Sequence, residues 1–216
     1  MYAIVDERPA RQELLGKGIS RRPLSLVRAG KAFVVVEPAA AREATTSTVV
    51  AHDRVVRRLT RVLPSVLPLR FASTAPDRTA VQALVAPLGE PLERAFERVR
   101  DAVQFTLRVS GPAAPAPKRD RRVGPGTRWI TERLDAQRIP EVGCVSDATR
   151  PWVRELRMER RVSPRDGVLG TVYYLVARKD VRAWRSALAR SIAELPRGIT
   201  VSVTGPWPPY AFVELA

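Results

Sequence analysis

Apolar and polar residues alternate along several short stretches of this chain, and a period of two is typical of β-strands with one buried face. The clearest alternation lies near the C-terminus, where Ile199, Val201 and Val203 are separated by threonine and serine. Residues 24–37 predict a β-hairpin, because two apolar runs flank Ala29-Gly30-Lys31, a stretch with the composition of a tight turn. Further strands are predicted over residues 2–5, 65–71, 103–109, 170–177 and 210–215.

Apolar residues spaced three and four apart predict helices between these strands. The threonines at 45–48 favour the start of a helix that ends near Val62, with His52, Val55 and Leu59 on its buried side. Residues 151–161 also predict a helix, which would bring Arg150, Arg154, Arg157 and Arg161 onto one face. Other helices are predicted from Thr74 or Asp77 to Leu88 with Leu84 facing inward, and over residues 91–99, 127–138 and 181–195, while residues 141–147 are predicted as a loop.

Strands interleaved with helices in both halves of the chain predict an α+β fold of two small domains. Each domain is expected to be a mixed β-sheet with helices packed on one face. The proline-rich and arginine-rich stretch 111–126 is the predicted linker, which leaves residues 1–110 and 127–216 as the domains. The strand, helix and strand over 170–204 predict a right-handed crossover between parallel strands.

A rigid corner follows the last of these strands, at residues 205–210. Gly205 permits backbone angles that other residues avoid, whereas Pro206, Pro208 and Pro209 fix their own φ angles. Trp207 and Tyr210 are thus held on a stiff frame. Two interpretations stay open: the aromatic pair closes the core of the C-terminal domain, which we favour, or it anchors a partner.

The charge of the chain is strongly positive, at +15, and 33 of its 37 basic residues are arginines because only four are lysines. Nucleic acid, an anionic surface or an acidic protein would each suit such a charge. An arginine-rich, lysine-poor composition is also what a GC-rich genome encodes, and we favour that explanation. The alternative function that the charge supports is a basic nucleic-acid-binding module on a ferredoxin-like sheet.

Residue types that carry chemistry are sparse. The chain has one cysteine, Cys144, which excludes an internal disulfide and a cysteine metal cluster. The single histidine, His52, lies on the apolar side of its helix, and Asp53 points about 100° away around the helix axis, so the pair is no ready catalytic dyad. Without a phosphate-binding loop or a metal-ligand cluster, the sequence predicts a protein that is no enzyme and has no cofactor.

No apolar run is long enough to span a membrane, and residues 1–7 lack the features of a signal peptide. We therefore expect a cytoplasmic protein without a membrane partner.

Four stretches carry a resemblance to one family. The chain begins Tyr2-Ala-Ile-Val, has His52-Asp53 in a helix, then Leu67-Pro-Leu-Arg-Phe71, and ends a valine-rich strand with Gly-Pro-Trp-Pro-Pro-Tyr at 205–210. In these stretches it resembles the gas vesicle accessory proteins F and L, the GvpL/GvpF family. It departs from the family at Ala72–Pro76, where a longer apolar stretch is usual, and over residues 112–165, which match poorly.

The resemblance implies a non-enzymatic assembly factor with two ferredoxin-like domains. Gas vesicles are protein shells built from a small and very hydrophobic subunit, and members of this family are thought to bind that subunit early in assembly. The expected partners are thus the shell subunit and other gas vesicle accessory proteins, and the expected location is the cytoplasm and the gas vesicle. His52, Asp53 and the corner 205–210 would then be structural.

A candidate partner surface is the strand at 65–71, because Pro68 removes a backbone donor and places the strand at a sheet edge or a bulge. Arg70 within it would either pair with a carboxylate of the fold, which we favour, or contact the partner. The residues proposed to bind the partner are Leu67, Leu69, Arg70 and Phe71.

Overall fold

The structure is a computed structural model that describes residues 1–40, 43–112, 138–163 and 167–214. The chain forms two compact units, and their boundary differs from the predicted one. The first unit is Met1–Val103 together with the chain from Trp207 onward, and the second is Gln104–Pro206. Most of the predicted linker and nearly all of the predicted helix at 127–138 lie outside the described residues.

The first unit contains an antiparallel sheet with the strand order β2-β3-β1-β4. The predicted hairpin is confirmed, with Ala29 paired to Ala32 across its turn. β4 is an edge strand, as Pro68 predicts, but it ends at Pro68 instead of continuing to Phe71. The strands are β1 (Ala3–Val5), β2 (Ser25–Ala29), β3 (Ala32–Val36) and β4 (Val66–Pro68).

Three helices complete this unit: α1 (Thr46–Val62), α2 (Arg78–Val85) and α3 (Gly89–Val99). The predicted N-terminus of α1 is confirmed, because the Thr45 hydroxyl accepts a hydrogen bond from the Thr48 amide at 3.2 Å. Asp77 caps α2 in the same way, accepting from the Ala80 amide at 2.8 Å. The inward orientation predicted for Leu84 is wrong, since this side chain is 56% exposed.

Helices cover both faces of the first sheet, where the sequence predicted one. α1 packs on the face that carries Ala3, Val5 and Val35, whereas α2 and α3 pack on the face that carries Ile4 and Val34. The reason is visible in the sequence, because the apolar runs of β1 and β3 are continuous and so present an apolar side chain to each face.

The second unit contains a sheet with the order β6-β7-β5-β8, and the α-helices among its described residues are α4 (Gly143–Thr149) and α5 (Val181–Ala193). β5 therefore belongs to this unit's sheet. The predicted assignment of this strand to the N-terminal domain is wrong. The hydroxyls of Thr200 and Thr204 reach the carbonyls of Ser110 and Thr106, so β8 runs antiparallel to β5. The strands are β5 (Ala102–Ser110), β6 (Val153–Ser163), β7 (Val168–Ala177) and β8 (Thr200–Trp207).

Because both sheets are antiparallel, β7 and β8 run in the same direction with β5 between them. The prediction that these two strands run parallel is thus confirmed, but they are not neighbours, because β5 lies between them. The α+β class is confirmed.

The helix predicted at residues 151–161 is wrong, because this stretch is β6. It pairs with β7 from Val153↔Val176 to Ser163↔Val168. The stabilisation from pairing with β7 outweighs any local preference for a helix, and the helical spacing of the arginines does not determine the structure. The predicted arginine face is therefore absent, and Arg157 instead forms an ion pair with Glu155 at 2.8 Å. The loop predicted at 141–147 is wrong as well, since most of it lies in α4.

The core of the second unit is centred on Trp184 of α5, which is fully buried as predicted. Its ring stacks on Phe105 of β5 with centroids 4.4 Å apart and lies 5.5 Å from the ring of Tyr174 on β7. These contacts fix the helix to the sheet through large apolar surfaces.

Candidate functional site

The stretches that the sequence analysis singled out meet around α1 of the first unit. Residues from Trp207 onward belong to this unit, so the interpretation that Trp207 and Tyr210 close the C-terminal core is wrong. We call the meeting point the α1 junction and define it by Tyr2, His52, Asp53, Arg57, Phe71, Trp207 and Tyr210.

The corner at residues 205–210 brings the chain to this junction. Gly205 has a φ of +125°, and a Cβ there would lie 2.8 Å from the carbonyl oxygen of Gln104, so only glycine fits. The Gly205–Pro206 peptide bond is cis. Pro208 and Pro209 are buried, and the chain then forms a short 3-10 helix over Tyr210–Phe212 instead of the strand predicted at 210–215.

The end of the described chain is packed into the same unit. Phe212 is fully buried, and Val213 packs against the core cluster that contains Ile4 and Phe96. The segment 207–213 is therefore a structural part of the first unit and not a free tail.

The polar half of the α1 junction is a linked set of contacts. The Tyr210 hydroxyl donates to Asp53 Oδ1 at 3.1 Å. Arg57 Nε lies 2.6 Å from Asp53 Oδ2, an ion pair whose geometry is not that of an aligned hydrogen bond. The Arg57 guanidinium carbon is 3.8 Å from the centroid of the Trp207 ring, a cation–π contact. Burial, and then the Asp53 carboxylate, raise the pKa of Tyr210, which keeps the phenol protonated as a donor.

The apolar half surrounds His52. Its ring meets Tyr2 edge-on with centroids 5.1 Å apart and lies 5.6 Å from the ring of Phe71. The side chain is 5% exposed, and Nε2 has no hydrogen-bond partner among the described residues. Burial lowers the pKa of His52, the N-terminal ammonium adds to this effect, and Asp53 opposes it. His52 is therefore a neutral, packed ring at neutral pH and not a base facing a substrate.

Tyr2 links the junction to a loop that the sequence analysis did not single out. Its hydroxyl donates to Glu37 Oε2 at 2.6 Å and accepts from the Ile19 amide at 2.8 Å. Glu37 Oε1 accepts from the Ser20 amide at 2.8 Å. Nothing in the local sequence marks Glu37 as part of this site, because its partners Tyr2 and Ser20 are distant in sequence. Arg57, in contrast, was predictable as the ion-pair partner of Asp53, because the two residues are four positions apart on one helix.

The predicted partner-binding residues fall into different environments. Leu67 is fully buried in the core, and Leu69 is half-buried, with its amide donating to the Tyr2 carbonyl at 2.9 Å. Phe71 is half-buried against His52. Arg70 is exposed and forms no ion pair with a carboxylate of the described residues, so the internal pairing favoured for it is not found there. Of this set, Arg70 alone is exposed, Leu69 and Phe71 are half-buried, and Leu67 is buried.

An apolar surface adjoins the junction on α1. Val49 and Val50 are 44% and 42% exposed, and they precede His52 and Asp53 by one helical turn. Tyr210, which contacts Asp53, is 42% exposed. We call the surface made by Val49, Val50, Phe71 and Tyr210 the α1 face.

Two other kinds of site are absent from the described part of the chain. It contains no group of three or more His, Cys, Asp or Glu side chains placed to hold a metal ion. Within it, no helix combines the length and apolar character needed to cross a bilayer. A nucleic-acid-binding sheet needs a face open to bases, and helices cover both faces of the first sheet.

Comparison with known proteins gives the same family that the motifs predicted. The family model described as gas vesicle synthesis protein GvpL/GvpF matches residues 1–214. A curated relative, gas vesicle protein L of Streptomyces sp. (strain CB03234), is 26% identical over 187 residues, which are 77% of this chain and 68% of the relative.

Solved structures show the same fold. The crystal structure of gas vesicle protein GvpF from Anabaena sp. PCC7120 is similar with a TM-score of 0.76 at 13% identity, over 100% of this chain and 95% of that one. GvpF from Microcystis aeruginosa is similar with a TM-score of 0.73 at 13% identity, over 98% and 96% of the two chains. These likenesses confirm the predicted α+β architecture.

Proposed function

Because the chain belongs to the gas vesicle synthesis protein GvpL/GvpF family, we propose that it is a non-enzymatic accessory protein that binds the hydrophobic shell subunit during gas vesicle assembly. The observation that carries this proposal is the family match over residues 1–214, which includes both units. The protein would act in the cytoplasm, together with other accessory proteins of the gas vesicle.

The chemistry of the shell subunit sets what its binder must provide. A small subunit with exposed apolar surface aggregates unless another protein covers that surface. The binder therefore needs an exposed apolar patch on a charged and otherwise polar exterior. The α1 face supports this role, because Val49, Val50 and Tyr210 present apolar surface on a chain with a net charge of +15.

The surroundings of the α1 face favour a partner with carboxylates beside its apolar residues. Arg70 lies at one border next to Phe71, and Arg54 is exposed on the next turn after Val50. Guanidinium groups at the rim of an interface speed association with an acidic partner and fix its orientation. We therefore propose that Arg70 and Phe71, of the residues first predicted to bind the partner, border the docking surface.

The direct test is co-expression of the protein with the shell subunit, followed by capture of the complex. Val50→Glu places a charge on the α1 face and should abolish capture, because the carboxylate must lose its water at the interface even where Arg54 pairs with it, and it repels the carboxylates proposed on the partner. Leu84→Glu is the matched control: it makes the same kind of change at a 56% exposed leucine on α2 and should leave capture unchanged.

Capture that fails for the unmodified protein, together with normal vesicles by electron microscopy after deletion of its gene, would contradict the proposed function. Capture that survives Val50→Glu would leave the function standing and remove the α1 face as the surface. Nuclease treatment of the lysate distinguishes direct capture from capture through nucleic acid, because only the second would be lost. Binding to nucleic acid would also weaken steeply as the salt concentration rises.

A further inference from the structure

Among the described residues the two sheets have four edge strands, and three of these are protected against pairing with another chain. β4 has only three residues and contains Pro68. β2 is closed in part by α2, since Gln82 Nε2 donates to the Arg28 carbonyl at 2.9 Å. β6 carries charged residues along much of its length and departs from regular register with β7 at two places.

β8 shares only one of these protections, Pro206 near its end, and its residues 200–204 have none. It is eight residues long, from Thr200 to Trp207, and contains no charged residue. Thr200, Ser202, Val203 and Thr204 are exposed, Val203 to 41%. Alternating threonine and valine have high β-propensity, and an uncharged, exposed edge of this kind is a template for strand addition.

The sequence of this edge is self-complementary. Antiparallel pairing of two copies about Ser202 would place Thr200 opposite Thr204 and Val201 opposite Val203, with Ser202 facing its own copy. Threonine and valine pairs of this kind stabilise antiparallel strands, and no like charges would face each other within the pair. A second copy of this chain therefore fits the edge without any change of sequence.

We propose that β8 of one chain pairs with β8 of a second copy around a twofold axis at Ser202, joining two four-stranded sheets into one. The contact covers only residues 200–204 and is flanked by a strongly positive chain, so the dimer is reversible and forms more readily as salt rises. This inference does not depend on binding of the shell subunit.

The primary test is the molar mass of the purified full chain, measured by sedimentation equilibrium over a range of concentrations. We expect a monomer–dimer equilibrium. Ser202→Lys and Ser202→Glu should each weaken the dimer about fivefold or more, because like charges then meet on the axis. Mixing the two variants should restore association, since lysine then faces glutamate. Ser186→Lys, at an exposed position of α5, is the matched control and should dimerise like the unmodified chain.

Cross-linking gives a second measurement. The exposed Cys144 is first replaced by serine, and Ser202→Cys in that background should form an intermolecular disulfide on mild oxidation, whereas Ser186→Cys should not.

A chain that stays monomeric at all concentrations and yields no Ser202→Cys dimer overturns the inference. A dimer that Ser202→Lys does not weaken overturns it as well, because the contact then lies elsewhere.

Discussion

Acid should destabilise this protein through one identified side chain, His52. The folded state buries the ring at 5% exposure between Tyr2 and Phe71, with Nε2 unpartnered among the described residues, and burial lowers its pKa from the ordinary value of 6.5. The unfolded chain exposes the ring and binds a proton at pH 6.5 and below. Protonation therefore favours the unfolded state over the pH window between 6.5 and the lower pKa of the folded state.

The size of the effect follows from the proton count. One proton bound by the unfolded chain and not by the folded one changes the free energy of unfolding by about 1.4 kcal/mol for each pH unit within the window. The stabilisation is present above pH 6.5 and is lost as the pH falls through the window. His52→Phe removes the titrating group and keeps an aromatic ring between Tyr2 and Phe71, so its stability should lack this slope.

The assay is urea unfolding between about pH 5 and pH 8 for both proteins, because the difference between them cancels the carboxylates that they share. The chain has a single histidine, so one imidazole resonance reports the pKa directly in the folded protein. A measured pKa of 6.5 or above would refute the reasoning, whether or not the variant folds. Equal slopes for the two proteins would refute it too.

Three further changes test the junction and the cores. Tyr210→Phe removes the donor to Asp53 and should cost about 1 kcal/mol in the free energy of unfolding, but near zero in an Asp53→Ala background that lacks the acceptor; a double-mutant cycle without coupling would contradict the contact. Trp184→Ala should cost about 3–5 kcal/mol because it empties the core between β5 and β7, which urea unfolding measures. Gly205→Ala should destabilise by about 1–3 kcal/mol, since φ is +125° and the added methyl meets the Gln104 carbonyl; a neutral effect on thermal unfolding would argue against that backbone conformation.

The parts of the fold that were predictable are those fixed by neighbouring residues. The start of α1 follows from Thr45 and its spacing to Thr48, and the β2–β3 hairpin follows from Gly30 between two apolar runs. β6 could not be predicted in this way, because its strand conformation comes from pairing with β7, while its arginines happen to repeat at a helical spacing. Long-range pairing overrides local pattern in such a stretch.

The residues of the candidate site were visible in the sequence, but their meeting was not. His52, Asp53, Trp207 and Tyr210 could each be singled out by residue type and setting. A rigid corner indicates that its aromatic residues are held in place, yet nothing in its sequence specifies the surface that receives them. The Tyr210–Asp53 hydrogen bond joins residues 157 positions apart in the sequence, so only the folded structure brings them together.

The return of Trp207 to the first unit has a consequence for how the protein is made. Translation delivers residues 1–103 early, but the unit that they build also needs the segment from Trp207 onward, which leaves the ribosome only after the whole of Gln104–Pro206. The contacts of Asp53 with Tyr210 and of Arg57 with Trp207 therefore cannot form until synthesis is nearly complete. The α1 face, which includes Tyr210, is complete only on a chain that has been translated past both units, so prematurely terminated chains cannot present it.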